Sequence, residues 1–138
     1  MRIRLFAGAA IVLMGCVSIK PAPPLPDVRA YFSDEQVVDQ YPVKRASCGT
    51  ITVPRVARDT GTQGWVVLGL DVEKDGSVSA VAIHAASDPM FEKDARRCAL
   101  ATTYYPAEAD GQPVAFANTP QIIHFMLDEP SGLFGLGF

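Results

Sequence analysis

The sequence predicts an α+β domain in which one helix packs on a small antiparallel sheet, in the order strand, strand, helix, strand. Three observations predict it: two apolar segments joined by an Asp-Gly turn, a capped segment of helical period, and a β-rich segment near the end of the chain. The 138 residues leave room for one such domain with short appendages, and 49% apolar residues are enough for a packed core.

The clearest unit is a pair of strands that begins at Gly64. Residues 65–72 form an apolar run, and residues 78–85 follow as the returning strand. Between them stands Asp75-Gly76, which indicates a hairpin because a tight turn needs residues that tolerate positive φ.

The helix is predicted from its start signal and its period. Ser87-Asp88-Pro89 supplies a capping side chain and a proline for the first turn. We expect the helix to end at residues 104–106 (Tyr-Tyr-Pro), and Asp110-Gly111 to form a turn before a last strand at residues 121–127. The residues that recur at helical spacing are Phe91, Ala95, Cys98, Ala99 and Thr102.

The segment before the hairpin is less regular. We expect a short helix around residues 33–38 and an extended conformation at Tyr41, because Pro42 follows it. Residues 48–56 contain four consecutive β-branched residues and predict a strand, which Pro54 restricts to the edge of a sheet.

The N-terminus predicts export and lipidation. Arg2 and Arg4 precede an apolar stretch at residues 5–15, which is too short to span a bilayer and is typical of a signal peptide. The sequence Leu-Met-Gly before Cys16 is similar to a lipobox, which implies cleavage before Cys16 and acylation of that residue. The alternative is an ordinary signal peptide with an incidental cysteine. Val17 is not aspartate, which by analogy with enteric sorting favours the outer membrane, facing the periplasm.

Four domain segments follow from this interpretation: a signal peptide (1–15), a lipidated tether (16–39), a folded domain (40–128) and an apolar, glycine-rich tail (129–138). Four prolines lie between Lys20 and Pro26, so we expect an extended, stiff spacer of about 30 Å. Whether the tail docks on its domain, touches lipid, binds a partner or stays flexible is left open.

Lipidation of Cys16 leaves Cys48 and Cys98 as a pair in an oxidising compartment, where a disulfide is expected. The alternative is that Cys98 is simply a small apolar residue of the helix. The net charge is −3, and removal of the segment before Cys16 leaves ten basic and fifteen acidic residues, a charge of −5. That balance disfavours nucleic-acid binding.

The ordered set of segments resembles the C-terminal domain family of TonB over about 90 residues, from Gln40 to Leu127. No single segment is specific, but their order is kept throughout. The matching segments are residues 40–42 (Gln-Tyr-Pro), 64–67, 75–78, 90–95, 104–107 (Tyr-Tyr-Pro-Ala), 111–114 and 122–125.

The resemblance implies a protein-binding fold in which an extended partner segment adds as a strand to an exposed sheet edge. It has two departures: a lipobox and short spacer replace the inner-membrane helix and long Pro-rich span of TonB, and Tyr41 stands unusually far from Gly64. Whether this edge is open, or is covered by the chain itself, is left open. The implied partner-binding edge consists of Gln40, Tyr41 and Pro42 together with Gln121, Ile122, Ile123, His124 and Phe125.

The sequence carries little that indicates catalysis. His84 and His124 fall on predicted strands, but no third metal ligand accompanies them at a recognisable spacing. Ser47-Cys48-Gly49 lacks the pattern of a nucleophile turn. We therefore expect no catalytic residue, metal or cofactor. The leading hypothesis is a lipid-anchored adaptor, its competitor is a structural lipoprotein whose edge is self-capped, and an enzyme is the weakest alternative.

Overall fold

Two helices and seven strands form the fold in the computed structural model, which describes residues 18–33 and 36–128. Single 3₁₀ turns lie at Val28–Tyr31 and Pro89–Phe91. In chain order the elements are β1 (Val43–Ala46), α1 (Arg55–Thr60), β2 (Gly64–Val72), β3 (Val78–Ala86), α2 (Glu92–Ala101), β4 (Thr103–Tyr105), β5 (Ala107–Ala109), β6 (Gln112–Val114) and β7 (Phe116–Phe125).

The main sheet has three antiparallel strands in the order β3-β2-β7. Two small two-stranded ladders, β1 with β4 and β5 with β6, extend the fold beside it. Helix α2 packs mainly on β3 and also contacts β2. The α+β class, with an antiparallel sheet and one main helix, is therefore confirmed.

Strand β2 lies at the centre and is buried along nearly its whole length. Because side chains alternate between the faces of a strand, its even-numbered residues point to one face and its odd-numbered residues to the other. Val66, Leu68, Leu70 and Val72 enter the core beneath α2. In that core the Phe91 ring stacks on the last residue of β7, Phe125, with ring centroids 4.6 Å apart.

The opposite face of the sheet is covered by residues 18–33, which we call the N-terminal strap. The indole Nε1 of Trp65 donates a hydrogen bond to the carbonyl of Pro23 at 3.0 Å. At the base of β2, the amide of Lys20 donates to the carbonyl of Gly61, and the side chain of Gln63 donates to the carbonyl of Lys20. Residues expected to belong to a free spacer therefore contact the domain.

The other end of the strap packs on His84 of β3. The ring of Tyr31 stacks on the imidazole at 5.4 Å, and the ring of Phe32 meets it edge-on at 5.3 Å. The carboxamide of Asn118 joins the two, because its oxygen lies 2.6 Å from His84 Nε2 and its nitrogen donates to the carbonyl of Tyr31. A Cβ on Gly69 would overlap this cluster, so only glycine fits below it.

The hairpin and the helix start are confirmed. Gly76 has φ +86° in the turn between β2 and β3, and Ser77 donates both side-chain and backbone hydrogen bonds to Asp75. These bonds stabilise the carboxylate and lower the pKa of Asp75 below its usual value.

Asp88 caps the start before α2 by accepting from the amide of Met90. All five residues predicted for the inner face of the helix are buried: Phe91, Ala95, Cys98, Ala99 and Thr102.

Other predicted elements were wrong in position. Residues 48–54 do not form a strand. Ile51 and Val53 pack against the core from an irregular segment, and helix α1 begins directly after Pro54. Residues 33 and 36–38 are not helical in the described part of the segment where a short helix was expected, and residues 34–35 lie outside it. A 3₁₀ turn lies earlier, at Val28–Tyr31, where the Asp27 carboxylate accepts from the amide of Arg29. The last strand begins at Phe116 and ends at Phe125. Helix α2 ends at Ala101, three residues before the tyrosines expected to stop it.

The disulfide between Cys48 and Cys98 is present, with Cα atoms 5.0 Å apart. It joins the irregular segment before α1 to the buried face of α2, so it stabilises a region that has no ladder hydrogen bonds. Cys16, the signal peptide and the tail after residue 128 lie outside the described residues.

Removal of the disulfide should destabilise the domain strongly. The bridge closes a loop of 50 residues, for which the chain-entropy model gives roughly 4 kcal/mol. We expect the double variant Cys48→Ser with Cys98→Ser to lose about that much free energy of unfolding in urea titrations. Reductant should produce the same loss in the wild type and none in the variant. If the wild type had the same urea midpoint with and without reductant, the bridge would have no structural role.

The Trp65→Phe variant tests the strap. It keeps an apolar ring but removes the donor to Pro23, so we expect the free energy of unfolding to fall by about 1 kcal/mol. Amide exchange at residues 18–24 should accelerate at the same time. Tyr105→Phe, which alters a tyrosine that is 55% exposed, is the matched control. Unchanged exchange in the strap of the Trp65 variant would show that the hydrogen bond does not fasten it.

Candidate functional site

A groove lies between the outer border of β7 and the small β1–β4 ladder, and we call it the edge groove. Its volume is about 490 Å³. It is open to solvent and mainly apolar, with one cationic side chain from β1. The lining residues are Tyr41, Pro42, Lys44, Tyr104, Thr119, Pro120, Gln121 and Ile122.

The direction of the β7 backbone groups follows from the pairing of β2. Trp65 exchanges its backbone hydrogen bonds with Ser87 on the β3 side, because its amide donates to Ser87 Oγ and its carbonyl accepts from the Ser87 amide. His124 lies opposite Trp65, so its own backbone groups point away from β2. The alternation carries this outward direction to Ile122 and Pro120, which face Val67 and Gly69.

Within the part of the chain that the structure describes, β7 pairs with β2 alone, so these outward groups have no strand beside them. Ile122 and His124 each present an N–H and a C=O, whereas Pro120 presents only a C=O. A proline at this register is typical of an edge strand, where its missing N–H breaks no ladder bond.

The beginning of β7 is closed by the chain itself. The carboxamide of Gln36 accepts from the amide of Ala117 at 3.0 Å and donates to its carbonyl at 2.8 Å, in place of a paired strand. The opposite border of the sheet is also partly closed, because Arg96 donates to the carbonyl of Val81 on β3. Within β7, the open stretch is therefore the second half.

Tyr104 forms one wall of the edge groove. Its hydroxyl donates to Gln121 Oε1 at 2.7 Å, which fixes the side chain of Gln121 against the wall. Burial disfavours the charged phenolate and raises the pKa of Tyr104 to about 12. The hydroxyl is therefore a neutral donor at any physiological pH.

Thr119 contributes an unpaired polar atom to the same groove. The residue is 5% exposed, and its Oγ1 is buried without a hydrogen-bond partner among the described residues. A buried hydroxyl without a partner costs about 1–3 kcal/mol. A polar group that enters the groove and reaches this hydroxyl would recover that cost.

The structure brings together four of the eight residues predicted for the partner edge: Tyr41, Pro42, Gln121 and Ile122. Gln40 lies beside them but exchanges backbone hydrogen bonds with Glu108. The side chains of Ile123 and Phe125 belong to the core. The side chain of His124 is exposed on the strap side of the sheet.

Lys44, Tyr104, Thr119 and Pro120 were missed. Pro120 carried a usable signal, since a proline inside a β-rich run indicates an edge strand. The contributions of Lys44 and Tyr104 depend on the pairing of β1 with β4, which no local pattern showed.

The described residues offer no support for the alternatives of a metal site or a catalytic site. His84 and His124 do not lie on neighbouring strands, because β2 separates β3 from β7. No group of three potential metal ligands occurs among residues 18–33 and 36–128. Cys48 is bridged and is therefore not available as a nucleophile. The same described residues include no helix long and apolar enough to cross a bilayer.

Comparisons with known proteins identify the family of the chain and a solved structure with a similar fold. The family model described as the Gram-negative bacterial TonB protein C-terminal matches residues 51–127, more than half of the chain. The chain belongs to the TonB C-terminal family. Its fold is similar to the solution structure of the Pseudomonas aeruginosa TonB C-terminal domain, with a TM-score of 0.53 and 18% identity over 66% of this chain and 91% of that one. No curated protein matches the sequence significantly.

Family membership indicates an envelope-associated role in protein interaction. TonB C-terminal domains interact with outer-membrane receptors, so a protein partner in the bacterial envelope is consistent with the match. The resemblance noted from the ordered sequence segments is thereby confirmed.

The wall of the edge groove gives a pH prediction. The pKa of Tyr104 is about 12 in the folded protein and 10 in the unfolded chain, so the folded state holds the phenolic proton more tightly. The free energy of unfolding is therefore unaffected by the ionisation of this group below pH 10 and falls as the pH rises from about 10 to 12. Tyr104→Phe should lose about 1 kcal/mol at pH 7 with the bond to Gln121. The variant should also show a smaller fall between pH 10 and 12 in urea titrations. An identical alkaline fall in both proteins would contradict the raised pKa.

Proposed function

We propose that this protein is a lipid-anchored periplasmic adaptor that recruits an extended peptide or protein partner by strand addition at the second half of β7. The partner would be an envelope protein of the receptor type, and the adaptor would act in support of transport across the outer membrane. The observation that carries the proposal is the outward, strand-free backbone register at Ile122 and His124.

Strand addition suits this border for a physical reason. An incoming extended segment pairs with backbone groups that otherwise bind only water, and each such bond contributes about 0.5–1.5 kcal/mol net. Ile122 and His124 offer two donors, and with Pro120 they offer three acceptors. The two hydrogen bonds between the Gln36 carboxamide and the Ala117 backbone, which we call the Gln36 clamp, stop an incoming strand from pairing with the start of β7. The pairing is therefore short, and side-chain contacts must supply much of the affinity.

The edge groove supplies those contacts. Tyr41 is 54% exposed and its ring is fixed edge-on against Phe116 at 5.5 Å, so it presents a rigid aromatic surface. Lys44 favours an acidic or carbonyl-bearing group, and the lining residue Thr119 has a buried Oγ1 without a hydrogen-bond partner among the described residues. These features favour a partner segment with an apolar side chain beside a polar or acidic one.

Lipid attachment at Cys16 rests on the sequence alone, because that residue lies outside the described range. Acylation there would keep the domain at a membrane, with the outer membrane favoured.

The decisive experiment changes one backbone N–H. In Ile122→Pro the outward donor is removed while the bonds between β7 and β2 remain, and Pro120 shows that this register accepts proline. We expect recovery of envelope partners from detergent-solubilised membranes to fall roughly tenfold, which corresponds to about 1.4 kcal/mol. Ile122→Ala, which keeps the N–H but shortens a side chain of the groove, is the matched control and should retain clearly more of the binding than the proline variant.

Equal recovery by the proline and alanine variants would contradict strand addition. Recovery of no envelope protein by either the wild type or the Cys16→Ser form, so that both fail, would favour the structural lipoprotein instead. The Gln36 clamp is the one observation that points toward that second function, since it shows that this chain caps part of its own border.

A further inference from the structure

The N-terminal strap begins its contact with the domain almost immediately after the proposed lipid attachment site. A Cβ on Gly61, which has φ +65°, would lie 2.1 Å from the carbonyl oxygen of Ser18, so the two backbones are in close contact. Lys20 then donates to the carbonyl of Gly61 at 2.8 Å, and Gln63 fixes the carbonyl of Lys20 at 3.0 Å. The chain is thus fastened to the base of β2 from Ser18 onward.

Only two peptide steps separate Cys16 from Ser18, a span of about 7 Å when fully extended. An undocked spacer of residues 16–27 would reach about 30 Å. We propose that the docked strap holds the domain directly against the bilayer, with the base of β2 and helix α1 facing the lipid headgroups. This inference rests on the lipid anchor of the proposed function and adds an orientation to it.

The surface at this end has the composition that a lipid interface accepts. Helix α1 ends at Thr60, next to Gly61, and its six residues span about 9 Å, so all of it lies near the anchor. Ala57 is its only buried residue; Val56 is 60% exposed, and Arg55 and Arg58 are exposed beside it.

Strand β7 ends at the same level of the sheet, because Phe125 pairs with Gly64. Met126, which follows it, is 54% exposed and shares a depression with Arg58. Exposed apolar side chains beside arginines suit the headgroup region, where the apolar parts enter the lipid and the charges remain at the surface.

Charge favours this orientation only weakly. Among the described residues at this end there are three cations, Lys20, Arg55 and Arg58, and two acids, Asp59 and Asp128, and the Asp59 carboxylate lies 3.7 Å from Arg55. This excess of one positive charge attracts anionic headgroups only weakly. The short connection to Cys16, rather than charge, is therefore what fixes the orientation.

The orientation determines where a partner is met. The strands of the main sheet rise from the bilayer, with Gly64 at the base and the turn at residues 73–77 at the top. Ile122 is opposite Val67, three residues above the base, which places the open register about 10 Å above the level of Gly64. A partner segment must therefore reach close to the membrane surface to pair there.

The test uses the full lipidated protein in nanodiscs of phosphatidylethanolamine and phosphatidylglycerol that contain a gadolinium-chelating lipid headgroup. Amide signals of residues 55–61 should be lost by paramagnetic broadening, whereas those of residues 74–77, about 30 Å higher, should be retained. Equal broadening of both segments would overturn the proposal. Mass spectrometry of the same sample reports acylation of Cys16, so a missing anchor is distinguished from a wrong orientation.

Two variants make the test specific. Insertion of ten Gly and Ser residues between Val17 and Ser18 adds roughly 17 Å of flexible reach and should remove the difference between the two segments. If the difference persists unchanged, the short connection is not its cause and the proposal fails. Val56→Glu should reduce broadening at α1, whereas Ala80→Glu, which adds the same charge at an exposed position near the opposite end, should not. Binding of the envelope partner, which depends on Ile122, should survive in the inserted protein when the partner is supplied in detergent.

Discussion

Burial of β2 on both faces is the constraint on which the rest of the structure depends. An antiparallel sheet can leave one face in water, but β2 carries apolar side chains on both faces, so each face needs a cover and one helix covers only one. Helix α2 covers Val66, Leu68 and Leu70, while Trp65 and Val67 lie on the other side. The chain covers that second face with its own N-terminal strap, through the bond from Trp65 to Pro23 and the packing of Tyr31 on His84.

This arrangement links the two proposals. The strap uses the N-terminal segment to complete the hydrophobic packing, which leaves almost no free chain between Cys16 and the domain. The same segment then continues to Gln36, whose carboxamide closes the start of β7. One stretch of chain therefore stabilises the sheet and confines the open border of β7 to Ile122 and His124, and under the proposed lipid anchoring it also sets the distance of the sheet from the membrane.

The three-stranded sheet, the hairpin turn and the inner face of α2 were predictable because their signals are local. Asp75-Gly76 requires a turn, and Phe91, Ala95 and Cys98 recur with the period of a helix. The segment from Cys48 to Val53 was not predictable. Its β-branched residues suggest a strand, but it has no neighbouring strand, and the disulfide and the core determine its path.

The sequence alone determined the fold class and the family resemblance, because periodicity, turn chemistry and the order of segments do not depend on distant contacts. It favoured a bridge between Cys48 and Cys98, which the structure then showed across 50 residues. Half of the predicted edge residues, among them Tyr41 and Ile122, proved to line one groove. The tertiary structure decided which backbone groups of β7 face outward, that Lys44, Tyr104 and Thr119 join them, and that the proline-rich segment docks. These features depend on the register between strands and on contacts across more than forty residues, which no short stretch of sequence encodes.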